Sequence, residues 1–208
     1  MHLILGLLFS LNQVLSYPFP DALVAAPSGH GIAYVLNERG VRSLWYASGP
    51  NDAPRMLWSS KTDDGQELTG VSISKGAKYV VFARGGDHDA NWDERPWPDP
   101  DGSPAEQHMQ VMSVPTAGGQ PNVLGDGDAP VISPDGAQVA FVHDPDAAVW
   151  SVPIAGGKAA SRLFFDRGHD GELAWSPGGG ALAFTSDRGD HSFVGIYRNA
   201  TTPLEYIA

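Results

Sequence analysis

The stretch Ala129-Pro-Val-Ile-Ser-Pro-Asp-Gly-Ala-Gln-Val-Ala-Phe141 contains two short apolar runs that are separated by a tight turn. Pro134 sets the φ angle that the second residue of such a turn requires, and Gly136 takes the fourth position, where glycine is favoured. The apolar runs on either side have the length of buried strands. This phrase therefore predicts a hairpin corner between two buried strands.

The same phrase occurs in three further copies, which indicates an internal repeat. In every copy, the residue that opens the turn and the aromatic residue that closes the phrase are eight positions apart. The openers lie 48, 59 and 43 residues apart, a period typical of β-propeller blades and not of helical solenoids. The other copies are Leu23–Tyr34, Gly70–Phe82 and Glu172–Phe184.

Each copy continues with a third strand, a second corner and a fourth strand. In the third copy these are Ala148–Val152, the Gly-Gly corner Pro153–Gly157 and Arg162–Phe165. Four strands in each of four copies predict an all-β chain, a partial β-propeller of four four-stranded antiparallel blades with about sixteen strands and almost no helix. A β-sandwich is disfavoured because sandwich strands do not repeat as four-strand phrases. The predicted blades span about residues 21–69, 70–128, 129–172 and 173–208, after an N-terminal segment 1–20.

The composition is that of a globular protein and excludes several classes of function. The chain of 208 residues is 42% hydrophobic and 18% charged, and its 25 glycines and 17 prolines punctuate many short elements. The formal net charge of −11 disfavours nucleic acid as a partner, because an acidic surface repels the phosphate backbone. The absence of cysteine excludes disulfides, thiolate catalysis and cysteine-based zinc sites.

The N-terminus leaves two interpretations open. Leu3–Leu11 has the length of a signal-peptide core and is too short to span a bilayer. It has no basic residues before it and no small-residue cleavage site before Tyr17, so an amphipathic segment is an equal alternative. We expect a periplasmic or secreted protein, and a cytoplasmic location stays open.

The second copy carries an insertion at residues 85–108 that accounts for its greater length. The spacing of its carboxylates and histidines matches no known metal-binding loop, so we assign no metal and no cofactor. Loops of this length are often functional, and we expect this one to face a substrate entrance or a partner domain. A plain surface loop remains the alternative. The candidate residues are Asp87, His88, Asp89, Trp92, Asp93, Glu94, Arg95 and Trp97.

The Ser-Pro-Asp-Gly phrase resembles the repeat of TolB-type propellers and of the N-terminal propeller in the prolyl oligopeptidase family of serine peptidases. Three segments resemble the peptidase side of this group more closely: Gln13–Pro20, Asn37–Trp45 and Arg84–Trp92. The peptidase resemblance implies a propeller that caps an α/β-hydrolase domain and controls the access of peptide substrates to it. The catalytic residues of that family lie in the hydrolase domain.

The sequence contains no G-x-S-x-G nucleophile motif, so we assign no catalytic residue and leave open whether the protein is an enzyme. The resemblance implies that the chain is a fragment whose partner is its own hydrolase domain. No Glu-Glu pair is present, so dipeptidyl specificity has no support. The alternative is a TolB-like periplasmic scaffold that binds other proteins.

Four blades are expected to leave the ring open, because propellers of this group have more. Apolar side chains near Leu23–Val35 in the first blade and Ala181–Phe184 in the fourth would then be exposed. We therefore expect poor solubility, or self-association that completes the ring.

Overall fold

The computed structural model describes Gln13, residues 17–86, His88, Gly102, Pro104 and residues 107–207. This part of the chain forms fifteen β-strands, and Gln13 is its only helical residue. No helix within it is long and apolar enough to cross a membrane. The strands are β1 (Phe19–Ala25), β2 (Ile32–Glu38), β3 (Val41–Ala47), β4 (Arg55–Ser59), β5 (Leu68–Ile73), β6 (Tyr79–Arg84), β7 (Gln110–Pro115), β8 (Asn122–Ile132), β9 (Gln138–His143), β10 (Ala148–Pro153), β11 (Ser161–Arg162), β12 (His169–Trp175), β13 (Leu182–Asp187), β14 (Ser192–Tyr197) and β15 (Glu205–Ile207).

The strands pair in chain order, and every pairing is antiparallel. Strands β1 to β4 form one sheet, β5 to β11 form a seven-stranded sheet, and β12 to β15 form a third. We call β1–β4 unit one and β12–β15 unit four. The seven-stranded sheet holds unit two, which ends with residues 122–126, and unit three, which begins with residues 127–132.

The central sheet differs from the expected separate blades because one strand belongs to two units. The first half of β8 pairs with β7 and the second half pairs with β9, so fifteen strands are present where about sixteen were expected. Gly125 and Gly127 lie at this change of partner. A Cβ atom at Gly125 would lie 2.8 Å from Cζ of Phe141, so the ring of Phe141 occupies the space that a side chain would need.

The hairpin corners explain why serine recurs as the opener of the repeat. The hydroxyls of Ser74, Ser133 and Ser176 accept the backbone N–H five residues later, at 3.0, 2.9 and 3.0 Å. Each corner is also closed by a backbone bond from the opener N–H. Ala26 in unit one has only the backbone bond, to Gly31 O at 2.8 Å.

The core consists of three apolar layers, each between two consecutive units. Phe82 packs with residues of unit one, Phe141 with residues of unit two, and Phe184 with residues of unit three. All three rings are fully buried. The expectation that Ala181–Phe184 is exposed is therefore wrong, because Leu182 and Phe184 face unit three and not solvent.

Candidate functional site

The first strands of the four units lie next to one another, and their beginnings share one end of the molecule. We call this end the start face. Strand β6 runs antiparallel to β5, with Arg84 opposite Leu68, so the insertion that follows β6 also begins at the start face. The position of the insertion thus follows directly from the strand order of unit two.

Of the candidate residues in the insertion, the structure describes only His88. The others lie outside the described residues: Asp87, Asp89, Trp92, Asp93, Glu94, Arg95 and Trp97. Their expected role at a substrate entrance or partner contact therefore stays a prediction.

His88 lies between two carboxylates from different units. Its Nδ1 is 2.9 Å from Glu67 Oε2, which also accepts the His88 backbone N–H at 2.9 Å. Its Nε2 is 3.0 Å from Asp128 Oδ2. Glu67 immediately precedes β5, and Asp128 lies where β8 enters unit three. The hydrogen bonds of His88 therefore connect the start of the insertion to the first strands of units two and three.

The two carboxylates favour the imidazolium form of His88. The hydrogen bond with Asp128 has the largest effect; together with Glu67 it outweighs partial burial and raises the pKa of His88 to about 9. Burial alone would raise the pKa of Asp128, but the hydrogen bonds from His88 and from the Ala129 backbone lower it. The group is thus an ion-paired cluster at neutral pH.

A cavity of about 470 Å³ opens beside this cluster, between units one and two. Burial raises the pKa of Asp21, with Arg42 opposing the rise and Glu67 adding to it. The hydroxyl of Thr69 has no hydrogen-bond partner among the described residues. The cavity is lined by Phe19, Pro20, Asp21, Asn37, Arg42, Glu67, Leu68, Thr69 and His88.

The cavity combines charges of both signs with an unpartnered hydroxyl, which suits the binding of a small polar group. The described residues that line it include no serine or cysteine that could act as a nucleophile. Elsewhere, Ser186 and His191 do not form a catalytic pair: buried Ser186 donates to Asp166, while His191 Nδ1 lies 2.5 Å from Asp190 Oδ1. Within the described residues, no cluster of three His, Asp or Glu side chains is arranged to hold a metal ion.

A second cavity, of about 510 Å³, lies at the opposite end, where hairpin corners from all four units converge. Its lining is mainly apolar and rich in proline, including Pro27, Pro134 and Pro177. Lys75 brings a positive charge to its rim, and Ser72 Oγ has no partner in the part of the chain that the structure describes.

Sequence reasoning missed two aspartate–arginine pairs that hold the start of a unit to its second strand. Asp64 accepts from Arg84 Nη2 at 2.5 Å and Asp166 from Arg188 Nη2 at 3.0 Å. Each aspartate also caps its own loop by accepting the N–H two residues later. The sequence contains a pattern that indicates these pairs, because in both units the aspartate precedes the opener serine by ten residues.

The comparisons with known proteins find similarity at the level of the fold. No protein-family model matches the sequence, and no curated protein matches it significantly. A putative TolB from Agrobacterium tumefaciens shares 19% identity with a TM-score of 0.55, over 92% of this chain and 62% of that one. A prolyl endopeptidase shares 14% identity with a TM-score of 0.63, over 92% of this chain and 30% of that one.

The propeller domain of the Trilobed protease from Pyrococcus furiosus is similar as well, at 11% identity and a TM-score of 0.61, over 92% of this chain and 57% of that one. The chain thus spans less than two thirds of the length of each of these structures. Together with the strand pattern, these similarities define an all-β chain of the β-propeller type. Its fold is shared by TolB and by peptidase propellers alike.

Proposed function

We propose that this chain is a non-catalytic propeller portion of a serine peptidase of the prolyl oligopeptidase type. Its four units are blades, and its start face controls the access of peptides to a hydrolase domain that the complete protein carries. The observation that carries this proposal is the coincidence, on one face, of the insertion, the His88 ion-pair cluster and the 470 Å³ cavity.

The geometry of the start face suits the selection of peptides. The insertion begins beside the cavity, next to the start of the first strand of unit two. The cavity offers both carboxylates and cations, which are the groups that bind the charged ends of a short peptide. The similarity to a prolyl endopeptidase, with a TM-score of 0.63, supports a peptidase, although a shared fold does not establish a shared function.

The second candidate function is that of a TolB-like scaffold for other proteins in the periplasm. It is supported by the 19% and 20% identities with two TolB structures, which exceed the identity with the endopeptidase. In this case the proline-lined cavity at the opposite end, and not the start face, is the natural surface for binding a protein segment. The TolB-like function would place the protein in the periplasm. The peptidase function leaves its location open.

The coding sequence downstream of Ala208 distinguishes the two functions. A hydrolase domain with a G-x-S-x-G motif would support the peptidase, while further blades without such a domain would support the scaffold. If the hydrolase domain is present, a fluorophosphonate probe should label the complete protein and leave the 208-residue chain unlabelled.

The gating role is tested in the same complete protein by His88→Ala. The variant should lose the ion pairs at the start of the insertion. It should then cleave long peptides faster relative to short ones than the wild-type protein does, which is measured as the ratio of kcat/KM for long and short substrates. His30→Ala is the matched control, because His30 lies in the exposed corner of unit one at the opposite end. An unchanged ratio in the His88 variant would argue against gating by this face.

A further inference from the structure

The second cavity, of about 510 Å³, is built from the same element of every unit. All of its lining residues lie on a first strand or on the corner that follows it. The first strands of consecutive units contact one another, so the cavity lies on the side that the four units share. Its volume is in the range of sites that hold a small molecule. The residue directly after the opener lines the cavity in all four units: Pro27, Lys75, Pro134 and Pro177.

Unit two departs from the repeat at two positions that line this cavity. Lys75 takes the place that proline has in the other three units, although the turn itself favours proline there. Two residues before the opener, unit two has Ser72. Both departures exchange an apolar residue for a polar one, in the same unit and at the same cavity. The residues that correspond to Ser72 in the other units are Val24, Val131 and Ala174.

Contacts within the chain do not explain these two polar residues. Ser72 Oγ is buried and has no hydrogen-bond partner among the described residues, so its hydroxyl is a cost to the fold. The described residues that line the cavity include no Asp or Glu that could pair with Lys75. The only carboxylate in the four corners belongs to Asp135, which already accepts the Ser133 hydroxyl at 2.5 Å and the Ala137 N–H at 3.0 Å.

We propose that this cavity binds a small ligand that carries one carboxylate on an apolar body. The Lys75 ammonium pairs with the carboxylate, because a cation without a neighbouring anion in the cavity is the group that such a ligand needs. The Ser72 hydroxyl donates a hydrogen bond to one of the ligand oxygens and so gains the partner that it lacks. The apolar body packs against the proline rings and against Ile73 and Ile132.

The lining favours a small acid over a protein segment. Four of the eleven lining residues are prolines, which have no backbone N–H to donate. The main chain of a bound peptide carries a carbonyl at every residue, and a wall of this kind would leave many of these carbonyls without a donor. A small acid brings no such groups. A TolB-like scaffold would use the cavity for a protein segment, so the two occupants are compared directly in the experiment.

Titration calorimetry of the 208-residue chain tests the proposal with three probes. Phenylbutyrate is the apolar acid, and phenylbutyramide has the same body without the charge. The acid should bind at least about tenfold more tightly than the amide, because the amide cannot form the charge-assisted hydrogen bond with Lys75. The third probe is a proline-rich peptide with an amidated C-terminus. No binding of the acid at millimolar concentration, equal affinities for acid and amide, or tighter binding of the peptide would each overturn the proposal.

Variants that restore the residues of the other units locate the site. Lys75→Pro should weaken the binding of phenylbutyrate at least about tenfold, and Lys75→Met should do the same without a change in the backbone. Ser72→Val should weaken it about tenfold and leave the urea midpoint unchanged or higher, because an unpartnered buried hydroxyl is removed.

The matched control is Lys78→Ala, since Lys78 belongs to the same corner and does not line the cavity. This variant should bind phenylbutyrate with the affinity of the wild-type chain. Wild-type affinity in both Lys75 variants, or an equal loss in Lys78→Ala, would show that the cavity is not the binding site. Far-UV circular dichroism checks that each variant remains folded.

Discussion

Replacing Asp170 with asparagine is expected to stabilise the protein near neutral pH and above, and to have little effect in acid. Asp170 lies in β12, at the contact between units three and four, where its backbone N–H donates to Ala147 O at 2.7 Å. Its Oδ2 accepts the Val149 N–H at 3.3 Å, while Oδ1 has no hydrogen-bond partner in the described chain. The residue is only 5% exposed, so its carboxylate is poorly compensated.

The magnitude follows from the pKa of Asp170. Burial, assisted by the nearby charge of Asp166, raises this pKa from 3.8 to about 7. A difference of roughly three in pKa corresponds to about 4 kcal/mol. The Asp170 carboxyl holds its proton more tightly in the folded state than in the unfolded state. Its contribution to the free energy of unfolding therefore favours folding below about pH 4 and is lost as the pH rises through about 7. Asparagine carries no charge at any pH and avoids this loss.

The assay is urea unfolding of the wild-type chain and Asp170→Asn at about pH 8 and about pH 4, at one protein concentration. The variant should gain up to about 4 kcal/mol at the higher pH and less than about 1 kcal/mol at the lower one. Asp190→Asn is the control, because the Asp190 side chain is 88% exposed. An equal effect of Asp170→Asn at both pH values would refute the assignment of a buried carboxyl with a raised pKa.

Three further predictions concern the corners, the packing and the histidine. Ser133→Ala should cost about 1 kcal/mol in urea unfolding because the Gln138 N–H loses its acceptor, whereas Ser28→Ala, in the corner without this bond, should be neutral. Gly195→Ala should lower the free energy of unfolding in urea by about 1–3 kcal/mol, because the added Cβ would overlap the Phe184 ring. Gly178→Ala should leave it unchanged, because Gly178 has open space around it. Below about pH 6.5, His88→Gln should lower the free energy of unfolding by about 1 kcal/mol, a value that allows for solvent screening of the ion pairs. Above about pH 10 the substitution should have no effect. The reason is that the His88 pKa is raised to about 9, so the stabilisation is lost as the pH rises through that value.

Local features of the sequence were sufficient to predict most of the strands and corners. The spacing from opener to aromatic residue placed Phe82, Phe141 and Phe184 correctly in buried strands. The reason is that a hairpin corner depends on a few adjacent residues, whose φ preferences and hydroxyls act over five positions or fewer. The role of serine as the opener could also be read from its recurrence, although only the hydrogen bonds show what it does.

The candidate site was only partly predictable. His88 was singled out because it lies in an unusually long loop, but its partners Glu67 and Asp128 are 21 and 40 residues away in the chain. Nothing local links these positions, since units two and three must pack together before the two carboxylates meet the same imidazole. The Asp166–Arg188 pair, 22 positions apart, depends in the same way on the register between β12 and β13.

The sequence by itself determined the repeat, the strand content and the corners, because these depend on neighbouring residues. Only the tertiary structure decided that β8 serves two units, and which apolar faces are covered. Leu182 and Val194 are both apolar strand residues of unit four, yet one is fully buried and the other is 44% exposed. The difference arises because Leu182 points toward unit three, whereas Val194 lies on the opposite face of the sheet, which no unit of the described chain covers. The residue type alone does not say which face of the sheet another unit covers.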